Sequence, residues 1–129
     1  MCGFFGCLVK SKINEDLLIK SLKLMSHRGP DSSDLLKYNI DKSYLYFCHV
    51  RLSIIDLSKS GSQPFSSNCG NYSIIFNGEI YNYIEIKQKL VDLGYKFKTK
   101  TDTEVLLYSL IEWGTDCLKQ FVGMFQTGS

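Results

Sequence analysis

Tyr72-Ser-Ile-Ile-Phe-Asn77-Gly78-Glu79-Ile-Tyr-Asn82-Tyr-Ile-Glu85 is the stretch on which the reading of the fold turns. Residues 72–77 are rich in β-branched and aromatic side chains and predict a strand ending at Asn77-Gly78. Asn82 and Glu85 then have the spacing of a capping box, which predicts a helix over 83–93, with Gly94 fitting its C-terminal cap. Taken alone, Asn-Gly is the strongest short hairpin signal and reads as a turn. It also carries a side-chain amide and a glycine N–H, two donors suited to a developing oxyanion in acyl transfer.

Upstream, residues 3–9 form a short apolar run bounded by Gly3 and Lys10 and predict a buried strand. Asn14 is a fair N-cap for a helix over about 15–26, with Leu18, Leu22 and Met25 on one face. His27-Arg28-Gly29-Pro30-Asp31 breaks the chain into a loop. Residues 44–51 are rich in aromatic residues and read as a strand. The stretch from Ser58 to Asn71, with Gly61, Pro64, Gly70 and many Ser and Asn, reads as a long polar loop. Downstream, Tyr95 to Lys100 alternates Lys with Tyr, Phe and Thr and reads as a solvated strand face, with Phe97 in a short strand. Thr101 with Glu104 forms a second capping box, starting a helix to about Trp113 that is apolar on most sides and so is expected to be buried. Gly114 ends it and Thr115 starts another short helix. Phe121 to Phe125 leads into a further core strand. Helices and strands alternate without the regular spacing of a doubly wound sheet, which makes the fold class α+β.

At 129 residues the chain has room for one domain. A net charge of +2 argues against a nucleic-acid binder, which needs a clustered excess of Lys and Arg. No apolar segment reaches the roughly 18 residues a membrane helix requires. The N-terminus lacks the basic region of a signal peptide, and its second residue is Cys2 rather than the glycine of a myristoylation site. Five cysteines with no C-x-x-C pair suit a reducing cytoplasm better than a disulfide framework.

Several residues invite chemistry, and each also has a plainer reading. A small residue after Met1 favours loss of the initiator methionine, leaving Cys2 with a free α-amine of pKa about 8, close enough to neutrality to serve its own thiol as a base. A buried, inert cysteine is the plainer reading. Arg51 ends a strand and could fork onto a substrate carboxylate, or make a surface ion pair. Asp102 opens a helix and could hold a substrate ammonium, or simply favour the helix N-terminus. His27 and His49 are the only histidines and have no partner at metal-ligand spacing, so no metal site is expected. There is no G-x-G-x-x-G and no P-loop.

Taken together the motifs say more. Met1-Cys2-Gly3, His27-Arg28-Gly29-Pro30-Asp31, Arg51-Leu52-Ser53-Ile54-Ile55-Asp56, Asn77-Gly78-Glu79-Ile80-Tyr81-Asn82 and Thr101-Asp102-Thr103-Glu104 follow one another in this order. The set resembles the glutaminase domain of glutamine-hydrolysing asparagine synthetases, which are class II glutamine amidotransferases of the N-terminal-nucleophile hydrolase type. The resemblance runs from Cys2 to Phe125. The segments 51–56 and 77–82 look less like the glucosamine-phosphate synthase or phosphoribosyl-pyrophosphate amidotransferase branches.

The resemblance implies an αββα sandwich of antiparallel sheets and hydrolysis of L-glutamine to glutamate and ammonia. Cys2 would attack the amide carbon and its α-amine would shuttle the proton. Asn77 and Gly78 would form the oxyanion hole. Arg51 would hold the substrate carboxylate, and Leu52, Ser53, Ile54 and Ile55 with Glu79 and Asp102 would line the pocket and hold the substrate amine. The His27 to Asp31 loop is given only a structural place near the site. The family domain continues for several more strands into an ATP-dependent synthetase domain, so residues 1–129 read as a partial domain with an incomplete sandwich. ATP and Mg belong to that absent domain, and no cofactor is expected in this fragment. The expected partners are glutamine and a synthetase domain or subunit, with a homodimer compatible, and without nucleic acid or membrane. The competing reading is a non-catalytic remnant, or a subunit that folds only with a partner.

Overall fold

The computed structural model describes residues 2–53 and 61–128. The chain forms β1 (Gly3–Val9), α1 (Glu15–Met25), β2 (Ser32–Ile40), β3 (Ser43–Arg51), β4 (Phe65–Ser66), β5 (Ser73–Ile80), α2 (Tyr83–Asp92), α3 (Asp102–Trp113), a 3-10 helix (Gly114–Gln120) and β6 (Gly123–Gly128). Two antiparallel three-stranded sheets result, ordered β1-β3-β2 and β4-β5-β6. This is the expected α+β class.

β3 is the centre of the first sheet, and the alternation of a strand divides its side chains between two faces. Tyr46, Cys48 and Val50 meet Leu18 and Leu22 of α1. The intervening His49 reaches the second sheet, where its Nε2 lies 3.2 Å from the Phe76 carbonyl. α1 starts as its sequence predicts, with Asn14 Oδ1 accepting from Asp16 N at 2.9 Å. In the second sheet Ile74, Phe76 and Ile80 pack on Leu106 and Leu107 of α3. α2 covers the far side of α3 through Ile86 and Leu90 against Val105 and Tyr108. The two sheets therefore lie between α1 on one side and the α2–α3 pair on the other, in the αββα order.

Three local expectations are corrected, and one strand lies where none was read. β2 lies in a stretch for which no element was expected: it is an edge strand with no fully buried residue, so it has no hydrophobic alternation to read. Tyr95 to Lys100, including Phe97, is not a strand; the segment is held by side chains instead of a ladder. Asn77-Gly78 is not a turn, because β5 runs through it to Ile80 while pairing with β6 in unbroken register. Asn82 makes no helix cap; its Oδ1 accepts from Val122 N and its Nδ2 donates to Gln120 O, both at 2.9 Å, which fixes the chain leading into β6. The polar loop also contains the two residues of β4, and its 58–60 portion lies outside the described residues.

The N-terminus of α3 is built on Glu104, which is fully buried. Thr101 caps the helix by accepting from Glu104 N. The Glu104 carboxylate reaches back past the cap, accepting from Lys98 N, Thr99 N and the Thr99 hydroxyl. One carboxylate thus satisfies three donors of an irregular segment and sets where Asp102 stands. Replacing Glu104 by Ala removes the partner of all three donors, two of them on buried Thr99, at an expected loss of about 3 kcal/mol. Urea denaturation measures it; a loss below about 1 kcal/mol would show that the segment holds itself.

Candidate active site

A cleft of about 260 Å³ opens between the end of β3 and the end of β5, lined by Cys2, Arg51, Leu52, Asn77, Gly78, Glu79 and Asp102 among others. The first sheet supplies Cys2. β1 pairs Gly3 with Val50, which sets Cys2 beside the strand end at Arg51. Its Sγ accepts from Leu52 N at 3.3 Å and lies 3.6 Å from Leu52 O. Its carbonyl accepts from Arg28 Nε at 3.2 Å.

Arg28 belongs to the loop to which the sequence assigned no individual roles, and the structure supplies them. Buried Gly29 presses on the backbone of Val50 and Arg51, where a Cβ would come within 2.5 Å of the Val50 carbonyl carbon. Asp31 N donates to Arg51 O at 3.0 Å, and Asp31 Oδ2 accepts from Ser53 N at 2.7 Å. The loop therefore braces the chain on both sides of the cleft's Arg51–Ser53 wall. Among the described residues, His27 bonds to Leu24 O on its own helix end.

The remaining cysteines stand apart from this arrangement. Burial, helped by nearby Cys7, pushes the Cys48 thiol up to about 12, and burial also raises Cys117. Cys69 is exposed, and the Ser67 hydroxyl lowers its pKa. Cys2 is the cysteine that lines the cleft.

The second sheet supplies a strand edge. One edge of β5 is laddered to β6, whereas β4 pairs with only its first two residues. Along the rest of that second edge, side chains replace a strand. Phe76 N donates to Gln63 Oε1 at 2.5 Å, Phe76 O faces His49 Nε2, and Ile80 N donates to Asp102 Oδ2 at 3.0 Å. Alternation along the ladder directs the Gly78 N–H and C=O to this same edge. Gly78 has a φ of 155°, and a Cβ there would collide with the Met124 carbonyl and with Phe125 Cα on β6, so only glycine fits.

Buried Arg51 brings a cation to the cleft, and Asp102 and Glu79 bring carboxylates. Burial raises the Asp102 pKa, against hydrogen bonds led by that of Ile80 and with a smaller push from Glu79. Opposite charges at fixed places in one small cleft suit a zwitterion. No cluster of metal-ligating residues occurs among the described residues. Cys2, Asn77, Gly78, Arg51, Leu52, Glu79 and Asp102 are thus brought to one cleft. Ser53 sits beside it, with its N–H committed to Asp31. Ile54 and Ile55 lie outside the described residues. Sequence reasoning missed Gln63, His49 and Thr103; they are polar residues that bond to backbone or to one another, and nothing local announces such partners.

The profile of the glutamine amidotransferase domain matches residues 1–128. The chain belongs to that family. Among curated relatives of this amidotransferase domain, it is 42% identical to the glutamine-hydrolyzing asparagine synthetase 1 of Bacillus subtilis, over 97% of this chain and 20% of that protein. It is 34% identical to the glutamine-hydrolyzing asparagine synthetase 1 of Saccharomyces cerevisiae, over 97% of this chain and 21% of that one. A relative of a different name, the amidase chry2 of Gibberella zeae, is 38% identical over 81% of this chain and 15% of its own length. The amidotransferase domain thus spans about a fifth of the asparagine synthetases it matches. No helix among its described residues is long and apolar enough to cross a membrane.

His49 makes this site sensitive to acid. Its side chain is buried, and burial first, then the Arg51 charge, outweighs the Phe76 hydrogen bond and lowers its pKa from 6.5 to about 4. The unfolded chain therefore binds one more proton than the folded chain between these values, and stability falls as pH drops through that window. His49 should account for roughly 2.5 kcal/mol of lost stability between pH 7 and pH 4.5. Urea melts of the parent and of His49→Gln measure this as a difference in slope against pH. Parallel curves would mean that His49 titrates normally.

Proposed function

We propose that the cleft hydrolyses the side-chain amide of L-glutamine through an N-terminal cysteine. The observation that carries this reading is the convergence of the Cys2 thiol, the unladdered strand edge at Gly78 and the opposite charges of Arg51 and Asp102 on one small cleft. With Met1 removed, the Cys2 α-amine takes the thiol proton while Sγ attacks the amide carbon. The carbonyl oxygen becomes an oxyanion facing the Asn77 amide and the Gly78 N–H. Collapse breaks the C–N bond, the proton passes to the leaving nitrogen, and ammonia departs. Water then adds to the thioester, the S–C bond breaks, and glutamate leaves with Cys2 restored.

Substrate orientation follows from charge. Arg51 pairs with the α-carboxylate, while Asp102 and Glu79 take the α-ammonium. The Asp102 carboxylate is fixed at the cleft by its bond from Ile80 N. The backbone from Leu52 to Ile55 would line the side of the pocket. The ammonia would serve ATP-dependent amidation, asparagine synthesis in the first instance, carried out by a synthetase domain or subunit where ATP and Mg would bind. The asparagine synthetase relatives support that assignment.

The reading is tested by intact mass after incubation with the glutamine-analogue electrophile diazo-oxo-norleucine. The expected result is a chain lacking Met1 with one adduct on Cys2, blocked by excess glutamine. A soluble chain that has lost Met1 and takes no adduct would refute a formed glutamine site. Cys2→Ala should abolish glutaminase activity, and Asn77→Ala should lower kcat by about 10²–10³-fold. Turnover that survives Cys2→Ala, or is normal with Met1 retained, would overturn the mechanism.

A further inference from the structure

The free edge of β5 raises a question of accounting. Backbone groups in a buried site need partners, and three groups on this edge obtain them from side chains of three different parts of the chain. His49 comes from β3 and Gln63 from the segment before β4, while Asp102 comes from the first turn of α3. A carbonyl oxygen only accepts, so the Phe76 contact puts the proton of neutral His49 on Nε2. Its Nδ1 has no hydrogen-bond partner among the described residues, so the ring is held from the Nε2 side. Gln63 is itself oriented, because its Nε2 donates to Thr103 Oγ1 at 3.3 Å. Gln63 also continues the β4 register: Phe65 stands opposite Ile74, and Gln63, two residues earlier, meets Phe76. The ladder is thus carried one step further by a side chain and then stops.

We propose that His49 and Gln63, with Thr103 behind Gln63, are positioning residues that clamp the backbone at Phe76, so that the Gly78 N–H, between Phe76 and the Asp102-bound Ile80, is presented to substrate. The proposal rests on the glutaminase reading of the cleft. Its physical need comes from Gly78 itself. A glycine without Cβ is the softest point of a strand, and here β6 holds only one edge. Released at Phe76, the peptides between Phe76 and Gly78 could rotate and turn the donor away from the oxyanion. A clamp of this kind acts on a group that matters only when charge develops on the substrate oxygen. Its loss therefore appears in kcat and leaves glutamine binding largely intact.

Two measurements test it. Gln at position 49 can set its Nε2 donor where the histidine Nε2 was, whereas Leu cannot. His49→Leu should lower kcat about 10–100-fold with KM for glutamine changed less than about 3-fold, and His49→Gln should restore kcat to within about 3-fold of the parent. Equal kcat in His49→Leu and the parent, or a KM effect alone, would overturn the clamp while leaving the glutaminase reading intact. The second measurement needs no turnover, and no variant that could fail to fold. Amide exchange by NMR on the unmodified chain should show Gly78 exchanging at least about 100-fold faster than Phe76 and Ile80. Equal protection of the three amides would overturn the clamp. The expected exchange pattern in a chain that takes no glutamine analogue would keep the clamp and refute the glutaminase reading.

Discussion

Hydrogen-bonding groups of a strand that leave water must be paired, and β5 has an edge its own sheet does not pair. β6 takes one side from Ile75 to Ile80, and β4 takes only Ser73 and Ile74 of the other. Elsewhere in proteins such an edge is covered by another strand or turned to solvent. Here it is satisfied group by group, from His49, Gln63 and Asp102, and this requirement locks the parts of the molecule together. His49 can arrive only if β3 faces the second sheet, and Asp102 only if α3 begins where Glu104 fixes it. The cleft exists because the edge was covered by side chains, which leave gaps, rather than by a strand, which does not.

Much of the fold was legible because its signals are local. The Asn14 and Thr101 caps, Leu18 and Leu22 on one face of α1, and Gly114 at the end of α3 depend on neighbours within a turn or two. Failures occurred where a distant partner decided. Asn77-Gly78 has the composition of a turn, and β6, far along the chain, pairs with it as extended strand. Asn82 is spaced as a cap but spends its side chain on Gln120 and Val122. β2 gave no periodicity because an edge strand half in water has none to give.

The site was legible in a different way. Cys2, Arg51, Asn77, Gly78, Glu79 and Asp102 each have an ordinary explanation, and it was their joint order, read as a family resemblance, that picked them out. The structure adds what such a reading cannot: the supports. Arg28 on the Cys2 carbonyl, Asp31 on Ser53 N, and Gly29 against Val50 turn one loop into a brace. None of these roles follows from residue type, since their partners are main-chain atoms and main-chain atoms look alike in any sequence.

The Asn82 clasp has a mechanical meaning. One side chain grips the chain on both sides of Phe121, at Gln120 O and Val122 N, while its own backbone opens α2. The start of β6 and the start of α2 are therefore joined by one side chain. Met124, two residues past Val122, is 70% exposed and forms part of the cleft wall. The same side chain thus links the start of α2, by way of two residues leading into β6, to a residue of the cleft wall.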